Sequence, residues 1–153
     1  MSEYLRLPPR IKVLEALGAL ADGRVEVLGD KEAIVRSSDG TRTYRVYLDV
    51  SRREVDSTDN GTVHRGYVGY PIIAFLMMKG LLPVNEELMK SLRGIPWRKL
   101  NEEYKNYAKV IDVIIKERKL DENAVNKYID QVMAILRRMN LKRVQKYNEV
   151  SEE

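Results

Sequence analysis

Apolar residues recur at steps of three and four from Ile11 through Leu14, Leu17 and Ala21, with Val13 and Leu20 widening the stripe. That spacing predicts an amphipathic helix. Pro8 and Pro9 precede it, where a helix start tolerates proline. Asp22-Gly23 ends it, the glycine suiting a C-terminal cap. The period then drops to two. Arg24-Val25-Glu26-Val27 alternates, Ala33-Ile34-Val35 is a short apolar run, and Tyr44 to Leu48 alternates with polar neighbours. Between the last two, Ser37-Ser38-Asp39-Gly40 carries the Asp-Gly pair favoured in hairpins. Arg53 to Ser57 offers a further short strand, and Asp59-Asn60-Gly61-Thr62 a further turn. Three or four antiparallel strands are expected, with the first helix covering one face, because so small a sheet does not stand alone.

Gly66, Gly69 and Pro71 lead into Ile72 to Met78, a segment apolar on every side that predicts a buried helix on the sheet. Gly80 and Pro83 end it. Asn85 is placed to cap a helix over Glu86 to Leu92, whose two glutamates suit the positive end of its dipole. Leu100, Tyr104, Tyr107, Ile111 and Ile114 continue in steps of four and three. Asp121 can cap a second long helix carrying Val125, Tyr128, Val132, Leu136 and Met139 on one face. These two helices are expected to pair antiparallel through a loop near Lys119-Leu120. Val110, Val113 and Ile115 fall partly off the main stripe, so the hairpin should dock on a further surface. The fold class is therefore α+β. Residues 1–83 form an α+β unit, residues 84–147 a helical region able to share its core, and residues 148–153 an acidic tail.

Composition sharpens this picture in two respects. Of the 153 residues, 44% are hydrophobic, enough for a real core. The chain has no cysteine, no leader-like N-terminus and no apolar stretch near the roughly 18 residues that span a bilayer, so a cytoplasmic protein without a membrane partner is expected. Dense mixed charge with only two glutamines leans toward a thermophilic source. Charge is also uneven. Residues 1–89 carry 12 Lys/Arg against 13 Asp/Glu, whereas residues 90–147 carry 15 against 7. The basic half is a prior for an anionic partner.

Candidate chemistry is sparse. His64 is the one histidine, and without cysteine neither a nucleophile–base arrangement nor a Cys/His zinc site has its partners. Asp56-Ser57-Thr58-Asp59-Asn60-Gly61 opens like a calcium loop, but the twelfth position, where a glutamate is needed, is Tyr67. A polar turn is the simpler reading. Gly66-Tyr67-Val68-Gly69 lacks the spacing and lysine of a phosphate loop. The paired acids Glu86-Glu87 and Glu102-Glu103 are explained by helix first turns. The chain is read as non-enzymatic, without a cofactor or metal. One feature is concentrated, namely Arg137, Arg138, Lys142, Arg143 and Lys146. If the last helix continues through them, Arg138, Lys142 and Lys146 make a basic stripe at four-residue spacing that neutralises phosphates without reading sequence. Trp97-Arg98-Lys99, Lys105 and Lys109 would extend it. Tyr104, Tyr107 and Tyr128 fall on apolar stripes and are expected in the core.

The order Val35-Arg36-Ser37-Ser38-Asp39-Gly40, then Tyr44-Arg45-Val46, a turn, and Ile72-Ile73-Ala74-Phe75-Leu76 resembles a SWIM-type zinc finger over residues 33–78. The ligand positions of that ββα module fall on Val55, Ser57, Gly69 and Pro71, so no metal role carries over. The resemblance implies a degenerate module that contacts nucleic acid or another protein. Two function classes follow. One is a nucleic-acid-binding protein acting through a basic C-terminal helix. The other is an interaction or scaffold protein, a homodimer included, acting through the Leu100–Ile115 and Val125–Met139 helices.

Overall fold

The computed structural model describes residues 3–147, which build a mixed α+β fold around one five-stranded sheet. The strands are β1 (Val25–Val27), β2 (Glu32–Arg36), β3 (Thr43–Asp49), β4 (Glu54–Ser57) and β5 (Lys142–Arg143), in that spatial order. The first four pair antiparallel; β5 joins β4 in parallel. Alternation sets the buried face. Ala33 lies opposite Val46 and Leu48 opposite Val55, and all four are buried. A register slip of one residue would turn that set to solvent.

Six helices complete the described chain: α1 (Ile11–Ala21), α2 (Tyr70–Met78), α3 (Glu86–Ser91), α4 (Trp97–Tyr104), α5 (Tyr107–Glu117) and α6 (Glu122–Met139). A π turn, Gly61–Arg65, precedes α2. The sequence places both helix 1 and the Ile72–Met78 helix on the sheet. Helix 1 does not form that layer, whereas α2 lies there as expected, packed on β1 to β4. Its wholly apolar surface suits a position between two layers. Next comes α1, which packs on α2, α3, α5 and α6, so it is buried on nearly every side. That sandwiching explains why its apolar stripe is so wide. One hydrophobic cluster runs from Ile11 to Leu141, and the two regions expected from the sequence share a single core.

The helical hairpin is also revised. Lys105 adopts a left-handed conformation (φ 53°) and Asn106 caps α5, accepting a bond from Lys109 N at 3.1 Å, so the expected single helix is two. Both α5 and α6 dock on α1 rather than chiefly on each other, and Val110 is fully buried there. Tyr128 is buried as expected, its hydroxyl donating to Pro83 O at 2.7 Å, whereas Tyr107 is 40% exposed. The caps at Asn85 and Asp121 form as the sequence indicates.

Beyond Met139 the chain leaves the helix. Asn140 is left-handed (φ 48°), and residues 142–143 add the parallel edge strand. Asp56 on β4 holds them. Its fully buried carboxylate accepts from Arg143 Nε at 2.9 Å, Lys146 N at 2.8 Å, Tyr147 N at 3.0 Å and its neighbour Ser57 N at 2.9 Å. The N-terminal stretch clasps the other side, with Leu5 N bonded to Leu141 O and Arg143 N to Glu3 O. The acidic tail at 148–153 lies outside the described residues.

Removing Asp56 takes away the buried acceptor shared by the Arg143 guanidinium and three backbone amides. Asp56→Ala is expected to lower unfolding free energy by about 3–5 kcal/mol in denaturant titration; a loss under about 1 kcal/mol would show that the carboxylate holds little. Alkaline pH gives a second check. Burial pushes the phenols of Tyr67 and Tyr147 up to about 12. A raised phenol pKa means that the native state holds the proton more tightly. The stability is therefore full below about pH 10, the unfolded value, and is lost as pH rises through 12. Phenolate absorbance should show a late class among the nine tyrosines, titrating with or after unfolding. All nine titrating near 10 in a folded protein would contradict this.

Candidate functional site

A polar groove of about 1490 Å³ opens among the described residues. One wall is the β2–β3 loop with Tyr44; the other is α4 with Lys105 and Tyr107. Its floor comes from α1, Arg24 and the start of α2, and His64 on the π turn reaches one end. Its volume exceeds the few hundred to a thousand Å³ usual for small-molecule pockets. The walls are tied by Arg98. Its backbone N bonds Ser38 Oγ at 3.1 Å, and its Nη1 donates to Asp39 Oδ2 at 3.1 Å and Thr41 Oγ1 at 2.9 Å. Asp39 in turn accepts from Thr41 N, Thr41 Oγ1 and Ser37 Oγ, and these bonds hold its carboxyl far below the ordinary range. The loop is therefore a braced edge.

On the floor, Glu15 is 3% exposed and, with Lys12, is one of two charged residues in the largely apolar α1. Lys12 Nζ lies 3.1 Å from one carboxylate oxygen, and Asn101 Nδ2 donates to the other at 2.8 Å. Burial pulls the Lys12 ammonium down, yet Glu15, Tyr67 and Tyr107 together outweigh it and the pKa ends above the ordinary value. Lys12 thus stays charged at neutral pH, 5.0 Å from the Tyr107 ring. Tyr44 and Tyr70 meet edge to face at 6.0 Å, and burial raises both phenols, so they act as neutral hydroxyls. Three buried atoms here have no hydrogen-bond partner: Arg24 Nε, Trp97 Nε1 and Asn101 Oδ1. Trp97 is seated against Gly18, where a Cβ would come within 2.6 Å of its Nε1. Native interiors leave few such groups unpaired.

The lining carries five cations (Lys12, Arg24, Arg42, Arg98, Lys105) against three carboxylates (Glu15, Asp39, Glu102). The buried cations are those already paired. Arg42, Lys105 and His64 are exposed at the rim, with Tyr107 beside them. The groove can therefore attract an anion at its edge and present aromatic rings, hydroxyls and an amide within. No group of three or more His, Cys, Asp or Glu among the described residues could hold a metal ion.

The residues singled out in the sequence lie elsewhere. Arg137 and Arg138 sit exposed on the last turn of α6. Lys142 and Arg143 form β5, Arg143 is held by Asp56, and Lys146 Nζ lies 4.6 Å from the Tyr47 ring centroid. The expected stripe of Arg138, Lys142 and Lys146 does not form, because the helix ends at Met139. Trp97, Arg98 and Lys105, named only as an extension, are the ones that line the groove. Asp56 and Asp59, the acids of the calcium-like turn, are occupied by protein donors: Asp59 accepts from Ser57 Oγ, Thr62 N and Thr62 Oγ1. Ser57 and Gly69, two of the positions where the zinc-finger resemblance puts ligands, lie against Asp59. Lys12, Glu15, Arg24, Arg42, Tyr44, Tyr70 and Asn101 were not signalled. One cue was present, since Lys12 and Glu15 are charges three apart inside an apolar helix.

No curated protein and no solved structure matches the chain. No helix among the described residues is long and apolar enough to cross a membrane. The model of one family, described as uncharacterised conserved protein UCP014422, matches residues 5–142, and the chain belongs to that family.

Proposed function

We propose that this protein binds single-stranded nucleic acid through sequence-independent contacts, and that the groove rather than the C-terminal basic stretch receives it. The carrying observation is the groove itself, too large for most small-molecule sites and lined by Arg42, Arg98 and Lys105 together with Tyr44 and Tyr107. Cations that track a backbone beside rings on which bases stack are what sequence-tolerant strand binding requires. The backbone at Lys105 adds support. A side chain at φ 53° is disfavoured where glycine would be comfortable, so the position keeps lysine against local preference.

A second reading, an interaction protein or homodimer, draws on Val27 and Leu28 at the β1 edge and on Met78, all large apolar side chains left exposed. The two readings differ in their response to salt. Charge neutralisation of phosphates weakens steeply with salt, whereas apolar association does not.

Fluorescence anisotropy of labelled oligonucleotides across a salt series should show affinity falling steeply with salt. Arg42→Glu with Lys105→Glu should weaken binding by at least roughly tenfold, from two phosphate contacts inverted. Arg137→Glu with Arg138→Glu should change it less than about threefold, as expected for charges remote from the bound strand. Equal losses in both pairs, or loss only in the second, would move the site to the C-terminal turn. Lys105→Gly separates charge from fold. It should raise stability by up to about 1 kcal/mol in denaturant titration while weakening binding; weaker binding with lower stability would point to a structural role instead. Light scattering closes the comparison, since a salt-insensitive dimer without nucleic-acid binding would favour the second reading.

A further inference from the structure

A second concavity, of about 380 Å³, opens where the end of α6 meets α2 and the β3–β4 turn. Its walls are Leu48, Leu76, Leu81, Ile135, Met139 and Leu141, and Arg53 and Arg138 are the charged side chains lining it. It shares no lining residue with the polar groove. Its size falls in the range of small-molecule sites, and its walls are apolar with only a few polar groups, as such sites are.

Both arginines are exposed, and neither side chain has an ion pair or hydrogen bond among the described residues. The nearby acid does not neutralise them. Asp49 is taken by Lys31 at 3.5 Å and by Arg52 at 3.9 Å, and its carboxyl is held below the ordinary range by hydrogen bonding from Ser51, against the opposing effect of desolvation. Arg53 also has a left-handed backbone, φ 57°, at a turn where glycine would be the unstrained choice. Arg138, at the C-terminal end of α6, has an ordinary helix-dipole role. That role accounts for its charge but not for its place beside an apolar cleft with a second unpaired guanidinium.

We infer that this cleft binds a small amphipathic anion, with an apolar body between α2 and α6 and a carboxylate at Arg53 and Arg138. The class follows from complementarity. The walls offer dispersion contacts and no buried hydrogen-bond partner, and a guanidinium fork matches a carboxylate in geometry and charge. A purely apolar ligand leaves both cations unanswered, and a cationic one is repelled. The inference is independent of the nucleic-acid reading, because either site can be empty without emptying the other.

Octanoate is the probe, with 1-octanol and octylammonium as uncharged and cationic counterparts. Titrated into isotope-labelled full-length protein, octanoate should produce saturable amide shifts around Val50, Leu81, Met139 and Leu141. Its affinity should exceed that of 1-octanol by at least roughly tenfold, with octylammonium weaker still. In a variant carrying Arg53→Gly and Arg138→Gln, octanoate should bind no better than 1-octanol. That variant is expected to fold, since glycine is at ease at φ 57° and Arg138 is exposed. An oligonucleotide should not displace octanoate. No shifts at roughly 10 mM octanoate, shifts centred elsewhere, or equal affinity for acid and alcohol would overturn the inference.

Discussion

The path of the chain beyond α6 depends on the buried carboxylate of Asp56. A chain leaving α6 with Arg137, Arg138, Lys142, Arg143 and Lys146 in view has strong local reasons to remain helical and present a basic stripe. Asp56 offers something stronger. It gathers one guanidinium and two backbone amides of residues 143–147 at 2.8–3.0 Å in a site with no exposure to water. A buried acid without donors would be costly, and a buried acid with four is a clamp. The clamp pulls the segment flat against β4, spends Arg143 on structure and stacks Lys146 on Tyr47. The basic character of the C-terminal half is thus divided. Part of it is structural and part lies at the end of α6, while α4 and the α4–α5 corner carry the share that reaches the groove.

The groove follows a related logic at lower cost. Its interior charges are neutralised internally: Lys12 by Glu15, Arg98 by Asp39 and Glu102. The Lys12–Glu15 pair is buried and fixes geometry more than it adds net stability, because removing one partner leaves the other stranded. The Arg98 pairs are partly exposed. Arg98 braces the β2–β3 loop against α4, and Asn101 is held in one orientation by Glu15, which leaves its carbonyl oxygen unpaired. The free cations are at the rim, where they cost nothing to solvate and act at a distance on an approaching anion. A rigid, internally balanced floor with a positive rim suits a ligand that is held by many weak contacts rather than by one reacting group.

Much of the architecture was legible because it is locally encoded. The wide stripe of α1, the Asp-Gly hairpin, the wholly apolar α2 and the caps at Asn85 and Asp121 each depend on residues a few positions apart. What was not legible is set across distance. The three-and-four spacing runs on through Lys105 and Asn106, so periodicity alone reads one helix where a left-handed residue and a cap make two. Strand β5 is two residues long and exists because Asp56 and the β4 edge lie ready for it. The groove brings Glu15 to Asn101, 86 residues away, and no window along the chain contains both. Even so, Lys12 and Glu15 stand three apart in a largely apolar helix, and Trp97-Arg98, read from the sequence only as an extension of the basic stripe, also line it.

Photocross-linking asks directly which surface a nucleic acid touches. An oligonucleotide bearing halogenated uracils would be irradiated with the full-length protein, and the adducts mapped by mass spectrometry. The proposed contact surface predicts adducts at Tyr44, Tyr107 and the residues beside them on the groove walls. Adducts confined to residues 137–147, or none under conditions where binding is seen, would contradict it.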